Sequence, residues 1–412
     1  MKDKRLLTLF LTIFIDLLGF GIAIPILPVI TKELAIQSGL EINPDITTGV
    51  MAAVFSVMQF LFAPLWGSMS DRIGRRPIIL GSILATAAGY VLLGFSSSLL
   101  LLFIARLVAG IGSANISAAQ AYIADITPPA DRAKKMGLIG AAFGLGFVFG
   151  PPIGGALFDA GGLSLVGFAT AGLCLFNFVL AWFSLPESLT EKNAERRSFV
   201  GSFQGLGRVW SIEIIGELFV INFIYIAAFS MMQMNAAVLW NEHFGLNSKQ
   251  VGYMFGFIGI CSAIVQGGLI GVFQKHVGLK RMLLFGCPLV AVGLTMIPLP
   301  SQEWFVVNQI IAVLLLATGN GMLMPAINSL ISVNTSGHDQ GKTLGLLQGT
   351  GSLARSVGPV CSGILYSFNF KLPYLSAGVL MMITLLLAIK LSGKLKESPK
   401  NHIPEPAVPL DN

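Results

Sequence analysis

Charged residues are scarce in this sequence. Asp, Glu, Lys and Arg together make up 11% of the 412 residues, whereas hydrophobic residues make up 54% and the mean hydropathy is +0.78. So few charges exclude a soluble globular domain, and the composition is that of a membrane protein. Cysteine is scarce as well. All four cysteines fall within apolar runs without a metal-ligand spacing, so we expect reduced packing residues: Cys174, Cys261, Cys287 and Cys361.

The signatures of several enzyme classes are missing. The sequence has no Gly-rich phosphate-binding loop ending in Lys-Ser/Thr, no HExxH, no GxSxG and no soluble nucleotide domain. We therefore expect neither an enzyme nor an ATP-driven pump, and no cofactor or metal, so that an ion gradient supplies the energy. The net charge of +6 lies on no soluble basic face, which argues against nucleic-acid binding.

Apolar runs of about 20 residues, each long enough to cross a hydrocarbon core of about 30 Å, recur along the chain. The basic N-terminus resembles a secretory signal, but it lacks a small-residue cleavage site, so we expect a retained first helix. We predict an all-α membrane protein with twelve transmembrane helices, at 6–30, 47–69, 78–96, 100–124, 137–158, 163–185, 214–239, 250–273, 280–299, 304–332, 343–368 and 372–393.

The basic residues are unevenly distributed among the predicted loops. When the N-terminus is placed in the cytoplasm, only Lys32, Lys249 and Lys371 of the 26 Lys and Arg residues face outward, and Arg106 and Arg355 lie within spans. Because Lys and Arg accumulate on the cytoplasmic side, both termini are predicted to be cytoplasmic. We expect a multi-pass protein of a bacterial inner membrane.

The chain divides into two similar halves. A hydrophilic linker at 186–213 separates a six-helix bundle at 1–185 from a second at 214–393, which a cytoplasmic tail at 394–412 follows. The stretch 67–76 has a weaker counterpart at 271–280, and Gly150-Pro151-Pro152-Ile153-Gly154-Gly155 aligns with Gly358-Pro359-Val360-Cys361-Ser362-Gly363. Two pseudo-repeats about an axis normal to the membrane are a recurring transporter plan, with the substrate between them at the midplane.

Three motifs carry a family resemblance. GSMSDRIGRRP, Gly67 to Pro77, resembles the loop 2–3 signature of the major facilitator superfamily, and AFGLGFVFGPPIGG, Ala142 to Gly155, resembles the fifth-helix signature of its drug/proton antiporters. AYIADITPPADRAKKMG, Ala121 to Gly137, and LPES, Leu185 to Ser188, are similar to the tetracycline-efflux branch. The resemblance covers essentially the whole chain and implies the major facilitator fold, proton-coupled drug efflux and a role in antibiotic resistance.

The sequence also departs from the tetracycline exporters. Those proteins carry further membrane acids in the third and ninth helices and a histidine in the eighth, where this chain has Gly89, Val290 and Ser262. These departures argue against metal-bound tetracycline as the substrate. We expect all four histidines in loops or tails: His243, His276, His338 and His402.

The resemblance implies a conformational latch in the loop after the second span. Asp71 would lie near the N-terminal end of the eleventh helix, where the helix dipole favours a carboxylate. Arg72, Arg75 and Arg76 would pair with Asp71 or with lipid phosphate, while Gly67 and Gly74 allow close backbone approach. The latch would hold the outward-facing state and open in the inward-facing one. A plain positive-inside signal is the alternative.

One acid lies deep within a predicted span, where charge is costly and usually functional. Asp16 is about ten residues into the first span, or about 15 Å deep and close to the midplane. Burial would let this carboxyl take up and release a proton near neutral pH, so we expect it to carry the coupling proton. A structural ion pair, or a polar residue facing a water-filled cavity, is the alternative.

Two arginines also lie within predicted spans. Arg106, roughly 9 Å inside the fourth span, matches the family's fourth-helix arginine, and the resemblance implies a part in proton coupling; a structural pairing with the first helix is the alternative. Arg355 lies near the midplane of the eleventh span. With Asp16, the core carries one negative and two positive charges. An anionic or zwitterionic group on the substrate could balance the surplus, or Arg355 could pair with Asp16 in the empty protein.

Small residues in the fifth span predict a gate. We expect its glycines to pack against a helix of the other half and Pro151-Pro152 to bend the helix, so that the outer exit closes. A generic packing motif is the alternative. The gating residues are Gly146, Gly150, Pro151, Gly154 and Gly155.

Uncharged polar residues are candidates for the cavity wall, beside the adaptable side chains Met231, Met232 and Met234. Interhelical hydrogen bonding or packing is an equal alternative for each of them. They are Gln59, Asn115, Gln120, Gln233, Asn235, Asn320, Asn328 and Gln348.

These features together predict a monomeric secondary transporter that exports a small amphiphilic organic compound by alternating access. The compound can be an anion or a zwitterion. Asp16 would be ionised when the inward-open cavity accepts substrate, and its protonation from outside would favour release. Uptake or facilitated diffusion of an organic metabolite or siderophore on the same fold is the second interpretation. The expected partners of the protein are the substrate, protons and the lipid bilayer.

Overall fold

The structure, a computed structural model, describes residues 2–39, 41, 43–127, 132–189, 213–265, 269–335 and 340–395. Every regular element in these ranges is a helix. The first half contains α1 Lys2–Ala23, α2 Leu27–Gln37, α3 Pro44–Ile73, α4 Arg75–Gly94, α5 Leu99–Gly112, α6 Ile116–Ile126 and α7 Arg132–Ser184. The second half contains α8 Glu213–Phe244, α9 Ser248–Ile264, α10 Ile270–His276, α11 Leu279–Met296, α12 Phe305–Val333, α13 Gln340–Phe368 and α14 Leu372–Ser392.

The all-α membrane fold is confirmed. Within the described residues, nine helical stretches are long and apolar enough to cross a membrane. The total of twelve spans stays a prediction, since α7 covers both the fifth and the sixth predicted span. Helical geometry is lost inside α7 at Gly161 and at Gly162, whose φ is +64°. This break falls at the predicted boundary between 158 and 163, where a glycine adopts the left-handed conformation most easily.

The first and fourth predicted spans are each divided in the structure. α1 ends at Ala23, the chain turns at 24–26, and α2 follows with Pro28 in its first turn. Pro25 cannot donate a backbone hydrogen bond, which accounts for the turn. The fourth span consists of α5 and α6, joined by a short 3₁₀ turn at Ser113–Asn115.

The buried apolar side chains form two main clusters. One draws on residues between Leu9 and Leu185 and includes Met234 from the second half; the other draws on residues between Ile215 and Leu395 and includes Ile24 from the first half. The predicted domain boundaries stay predictions. Residues 190–212 of the predicted linker and 396–412 of the predicted tail lie outside the described residues.

The two halves share a glycine turn at corresponding places. Gly74, with φ +123°, lies between α3 and α4, and Gly278, with φ +80°, lies between α10 and α11. Side chains other than hydrogen are disfavoured at such φ values, so both positions require glycine. The turn is therefore common to both copies, although the four charged residues of 67–76 are reduced to two, Lys275 and Lys280, in 271–280.

Two sequence expectations about single residues are wrong. His243 and His276 lie in the last turns of α8 and α10 instead of in loops. A helix C-terminus favours a basic side chain because its free carbonyls carry partial negative charge. Cys361 is exposed, whereas the other three cysteines are buried as packing residues. His338 and His402 lie outside the described residues.

The halves meet along the antiparallel pair α3 and α13, which gives the bundle two distinguishable ends. We call them the motif end, where α3 leads into Gly74, and the Lys32 end, where α3 begins. At the Lys32 end, a Cβ on Gly49 would overlap the carbonyl oxygen of Pro359, and one on Gly363 would overlap that of Asp45. Towards the motif end, a Cβ on Gly349 would have no atom nearer than 4.0 Å. The halves are thus closed at the Lys32 end.

Candidate functional site

Asp16 lies in the middle of α1 and is 6% exposed. Its carboxyl is within hydrogen-bonding reach of the Asn115 side chain, while its Oδ1 atom has no hydrogen-bond partner. An unpartnered oxygen of a charged carboxylate is costly in an apolar interior, and a proton or a ligand cation would relieve that cost. Asp16 is therefore suited to bind either a proton or a cationic group of a ligand, with one replacing the other.

Arg106 of α5 is 4% exposed. Its guanidinium carbon lies 4.4 Å from the centroid of the Phe55 ring, and its Nε atom has no hydrogen-bond partner. Glycines set this position, because a Cβ on Gly110 would meet the backbone of Phe55 at 2.6 Å. Close packing of α5 against α3 thus holds the arginine over the aromatic face, which stabilises a cation without neutralising it.

Arg355 of α13 is half-buried and belongs to a hydrogen-bonded chain that crosses between the halves. Its Nη2 donates to Ser352 Oγ at 3.0 Å, and Ser352 Oγ donates to Gln59 Oε1 at 3.4 Å. Gln59 Nε2 in turn donates to the carbonyl oxygen of Ser113 at 3.1 Å. Sequence reasoning missed Ser352 and Ser113, because small hydroxyl side chains are common in helices and carry no distinctive pattern.

Two small cavities lie between the halves. The two-arginine cavity, of about 40 Å³, has both Arg106 and Arg355 in its wall, together with Gln233, Met234 and several apolar residues. The Asp16 cavity, of about 20 Å³, is lined by Asp16, Gln59 and Ser113. Arg355 and Phe20 line both cavities. Since ligand sites for drug-sized molecules measure roughly 300 Å³ or more, the halves must separate to admit one.

The charges around these cavities are not paired with one another. Among the described residues, no carboxylate lies within ion-pair distance of Arg106 or Arg355, and Arg355 uses Ser352 as its partner. The alternative in which Arg355 pairs with Asp16 in the empty protein is therefore wrong for this state. The site keeps a surplus of one positive charge when Asp16 is ionised.

The motif residues are held within the first half. Asp71 pairs with Arg75, whose Nε also contacts Asp125 Oδ2 at 3.0 Å and whose Nη1 donates to Ser70 Oγ at 2.7 Å. Arg72 is exposed. Residues 336–339, which precede α13, and the side chain of Gln340 are outside the described set. The expected contact between Asp71 and that helix end thus stays a prediction.

Glu187 is a partner of the motif that sequence reasoning missed. Its carboxylate accepts backbone hydrogen bonds from Arg75 at 2.9 Å and Arg76 at 3.1 Å, at the N-terminus of α4. It therefore caps a helix whose preceding residue, Gly74, offers no side chain for that purpose. The Arg76 side chain instead contacts Trp182. Its Nη2 donates to the carbonyl oxygen of Trp182 at 2.6 Å, and its guanidinium lies over the Trp182 ring.

The expected packing of the gating glycines needs a correction. Gly146, Gly150 and Gly154 face α1 of the same half, where added Cβ atoms would overlap Leu17, Gly21 and Ile22. Their spacing of four residues places all three along one stripe of the helix. The contact with the other half comes from the opposite side of α7: Pro151 and Gly155 lie against Gly252 of α9, and Pro152 lies against Gly256.

The predicted polar lining is present only in part. Gln59 and Gln233 line the cavities, and Asn115 lies beside Asp16. Asn235 instead donates to Ser362 Oγ at 2.7 Å, which joins α8 to α13 within the second half. The remaining four are absent from the walls of both cavities: Gln120, Asn320, Asn328 and Gln348.

An ion-pair cluster that no motif indicated joins the halves at the Lys32 end. Lys32 Nζ lies 3.0 Å from Asp45 Oδ1 of α3 and 2.7 Å from Glu242 Oε1 of α8. Burial by itself lowers the pKa of Lys32, but its hydrogen bonds to Glu242 and Asp45 outweigh burial, so the pKa is raised above 10.5. Lys32 thus stays charged at any physiological pH. The only sequence signal was its position among the few basic residues that were predicted to face outward.

No group of three or more His, Cys, Asp or Glu that could hold a metal ion occurs in the part of the chain that the structure describes. The chemistry of the site therefore rests on one carboxyl, two guanidinium groups and hydroxyl and amide side chains. These groups can bind ions and exchange protons.

Comparison with known proteins identifies the family of the chain. A model of the Major Facilitator Superfamily matches residues 9–359 and 218–411. Tetracycline resistance protein, class B, of Escherichia coli is 31% identical over 377 residues, which cover 90% of each chain. Multidrug resistance protein 2 of Bacillus subtilis (strain 168) is 28% identical over 384 residues, which cover 92% of each chain.

A solved structure shows the same architecture. The crystal structure of the human organic anion transporter MFSD10 (TETRAN) superposes with a TM-score of 0.73 at 25% sequence identity, covering 94% of this chain and 99% of that one. The family model spans nearly the whole sequence, and the relatives named as resistance proteins align over nine-tenths of it. The chain therefore belongs to the major facilitator superfamily and is a membrane transporter, not an enzyme.

Proposed function

We propose that this transporter exports small amphiphilic organic compounds from a bacterial cell in exchange for protons. The observation that carries the proposal is Asp16, a buried acid with an unpartnered oxygen at a cavity between the two halves. The relatives named for tetracycline and multidrug resistance support export, and the name of the human organic anion transporter supports an anionic group on the cargo.

The orientation follows from the distribution of basic residues. With the motif end and both termini in the cytoplasm of a bacterial inner-membrane protein, the closed Lys32 end faces outward and the described state faces inward. Substrate would enter from the motif end while Asp16 is ionised. After the bundle reverses, a proton from outside would neutralise Asp16 and favour release. The protein would act as a monomer that uses the proton gradient and no cofactor.

The first test measures proton release by purified protein in weakly buffered detergent when compounds from a drug and metabolite panel are added. Proton antiport predicts substrate-evoked release that disappears in Asp16→Asn. Asp159→Asn, at an exposed position of α7, is the matched control and should behave like the unaltered protein. Compounds that bind to the unaltered protein without proton release would exclude antiport and favour facilitated diffusion or uptake of an organic metabolite or siderophore.

A further inference from the structure

The two cavities bear charges of opposite kinds. Arg106 and Arg355 face the two-arginine cavity, whereas Asp16 faces the adjoining cavity, with Arg355 at the boundary. Buried guanidinium groups without a carboxylate partner are costly and bind carboxylate or phosphate oxygens well. An anionic group on the cargo would therefore lie between the arginines. The apolar remainder of that cavity, which includes Phe20, Ile24 and Met234, suits a hydrophobic body.

The direction of proton coupling limits the charge of the cargo. A cargo with only an anionic group would repel the ionised Asp16 carboxylate, so its binding would favour proton uptake. Because this coupling is reciprocal, a proton on Asp16 would then strengthen cargo binding, and the proton and the cargo would be transported in the same direction. Exchange of cargo for protons requires the opposite coupling. A cationic group beside Asp16 provides it, because the cation and the proton compete for the same carboxylate.

The spacing of the cavities along α1 sets the distance between the two charges. The Asp16 cavity contacts α1 at Asp16, Leu17 and Phe20, and the two-arginine cavity contacts the chain at Phe20, Ala23, Ile24 and Leu27. Within α1, which ends at Ala23, the first set and the contacts at Phe20 and Ala23 are centred about four residues apart, which is about 6 Å at 1.5 Å per residue. An α-amino acid, whose ammonium and carboxylate are attached to the same carbon, is too short to occupy both.

We propose that the cargo is an elongated zwitterion, with its anionic group between Arg106 and Arg355, its cationic group beside Asp16, and an apolar body between them. This inference rests on the proposed proton exchange and adds to it the charge pattern and length of the substrate. It also explains why the site carries two arginines for one acid: the cargo anion is shared by both arginines, while the cargo cation replaces the proton on Asp16.

The test uses three matched compounds in the proton-release assay. They are 4-(2-aminoethyl)benzoic acid, a zwitterion with its charges on opposite sides of a ring; its methyl ester, which is only a cation; and its N-acetyl derivative, which is only an anion. Phenylalanine is the short zwitterion. Isothermal titration gives the affinity of each compound for the full-length protein. We expect proton release with the long zwitterion, weaker binding of the ester, and no release with the N-acetyl compound or phenylalanine.

Variants of the protein test which residues bind the charged groups of the cargo. Arg355→Gln should weaken binding of the long zwitterion about tenfold or more and leave the ester within about twofold, because only the zwitterion has a charge-assisted contact to lose. Arg106→Gln should act in the same way. Arg281→Gln, at an exposed position of α11, is the control, and size-exclusion and thermal unfolding exclude variants that do not fold.

The outcomes separate this inference from the proposed function. Equal affinity and equal proton release for the ester and the long zwitterion would show that the anionic group is not bound, which would overturn the zwitterion and leave antiport standing. Binding of the long zwitterion through the arginines without proton release would leave the charge pattern standing and exclude antiport. Failure of all the compounds to bind, or equal effects of Arg355→Gln on the zwitterion and the ester, would overturn the inference itself.

Discussion

At the scale of single residues, the polar side chains of the first half differ in how completely they are partnered. Asp125 accepts from both Arg75 and Ser188, and Glu187 accepts from several backbone N–H groups. Asp16 and Arg106 each keep an unpartnered atom beside a cavity. Fully partnered polar groups hold a structure in place, whereas buried unpartnered ones are costly unless a ligand completes them. Asp125 and Glu187 lie at the motif end, whereas Asp16 and Arg106 lie at the cavities.

Glu187→Gln tests the structural role of the carboxylates at the motif end. The amide has one acceptor oxygen instead of two and no charge, so the cap of α4 should weaken and the free energy of unfolding should fall by about 1 kcal/mol. Thermal unfolding in detergent measures the change. Glu303→Gln, in an exposed loop, is the control and should leave the unfolding temperature unchanged. Equal unfolding temperatures for the two variants would show that Glu187 does not stabilise the motif.

At the residue scale, the sequence identifies candidates for the site where the chemistry of a single side chain is unusual for its surroundings. Asp16 and the two arginines were identifiable because charge inside an apolar run is rare and costly. Glu187 was not, because its partners are backbone groups more than 110 positions away and the LPES motif gives no sign of them. For Asn235 the sequence left two roles open, since a polar side chain in a helix can face a cavity or a neighbouring helix, and only the packing decides which.

At the scale of helices, contacts between backbones control how the halves close. Gly49 of α3 and Gly363 of α13 bring their own backbones against Pro359 and Asp45 at the Lys32 end. A backbone has no rotamers with which to relieve an overlap, so these contacts tolerate no added atom. The sequence indicated small-residue packing in α7, but it could not show which stripe faces α1 and which faces α9.

Gly49→Ala should therefore oppose closure of the Lys32 end. Overpacking of a tight contact costs about 1–3 kcal/mol, which is a shift of about fivefold or more towards the state open at that end. Ser56 lines the two-arginine cavity, so Ser56→Cys in a background without the native cysteines reports access from outside. An impermeant maleimide should label it faster in Gly49→Ala.

The matched control for this variant is Gly81→Ala. Gly81 lies in α4 at an exposed position, and a Cβ there would meet no atom within 4 Å. Labelling of Ser56→Cys should stay at the rate of the parent protein. If Gly49→Ala and Gly81→Ala give the same labelling rate, the glycine contact does not limit closure.

At the scale of the whole molecule, the two halves are joined by different interactions at different depths. The Lys32–Glu242 ion pair and backbone contacts join them at the Lys32 end, and a chain of hydrogen bonds through Gln59 and Ser352 joins them near the middle. Because the raised pKa of Lys32 keeps it charged, this lysine does not lose its proton at physiological pH. The contact at the Lys32 end therefore contributes to the stability of the closed state.

Lys32→Gln should shift the protein towards the state open at the Lys32 end. Partly exposed ion pairs contribute up to about 1 kcal/mol, so the ratio of closed to open protein should fall about fivefold at most. Spin labels at Ile36→Cys and Lys249→Cys, exposed positions of opposite halves at this end, report the separation by pulsed electron resonance. The distance distribution should gain a longer component.

Two further variants make this measurement specific. Lys371→Gln removes a lysine from the same end that contacts the Phe370 ring, and it should leave the distances unchanged. Glu242→Gln should repeat the effect of Lys32→Gln, and the double variant should add little to either alone, as expected of partners in one ion pair. Additive effects would show that Lys32 and Glu242 act separately.

The small size of the two cavities, together with the closed Lys32 end, has an electrical consequence. Where water is excluded the electric field concentrates, so most of the membrane potential falls across the closed end in this state. A zwitterion has no net charge, and its exchange for one proton would move one elementary charge inward per cycle. Each 100 mV of potential then contributes about 2.3 kcal/mol to export. Transport in vesicles should continue on voltage alone when the pH is equal on both sides.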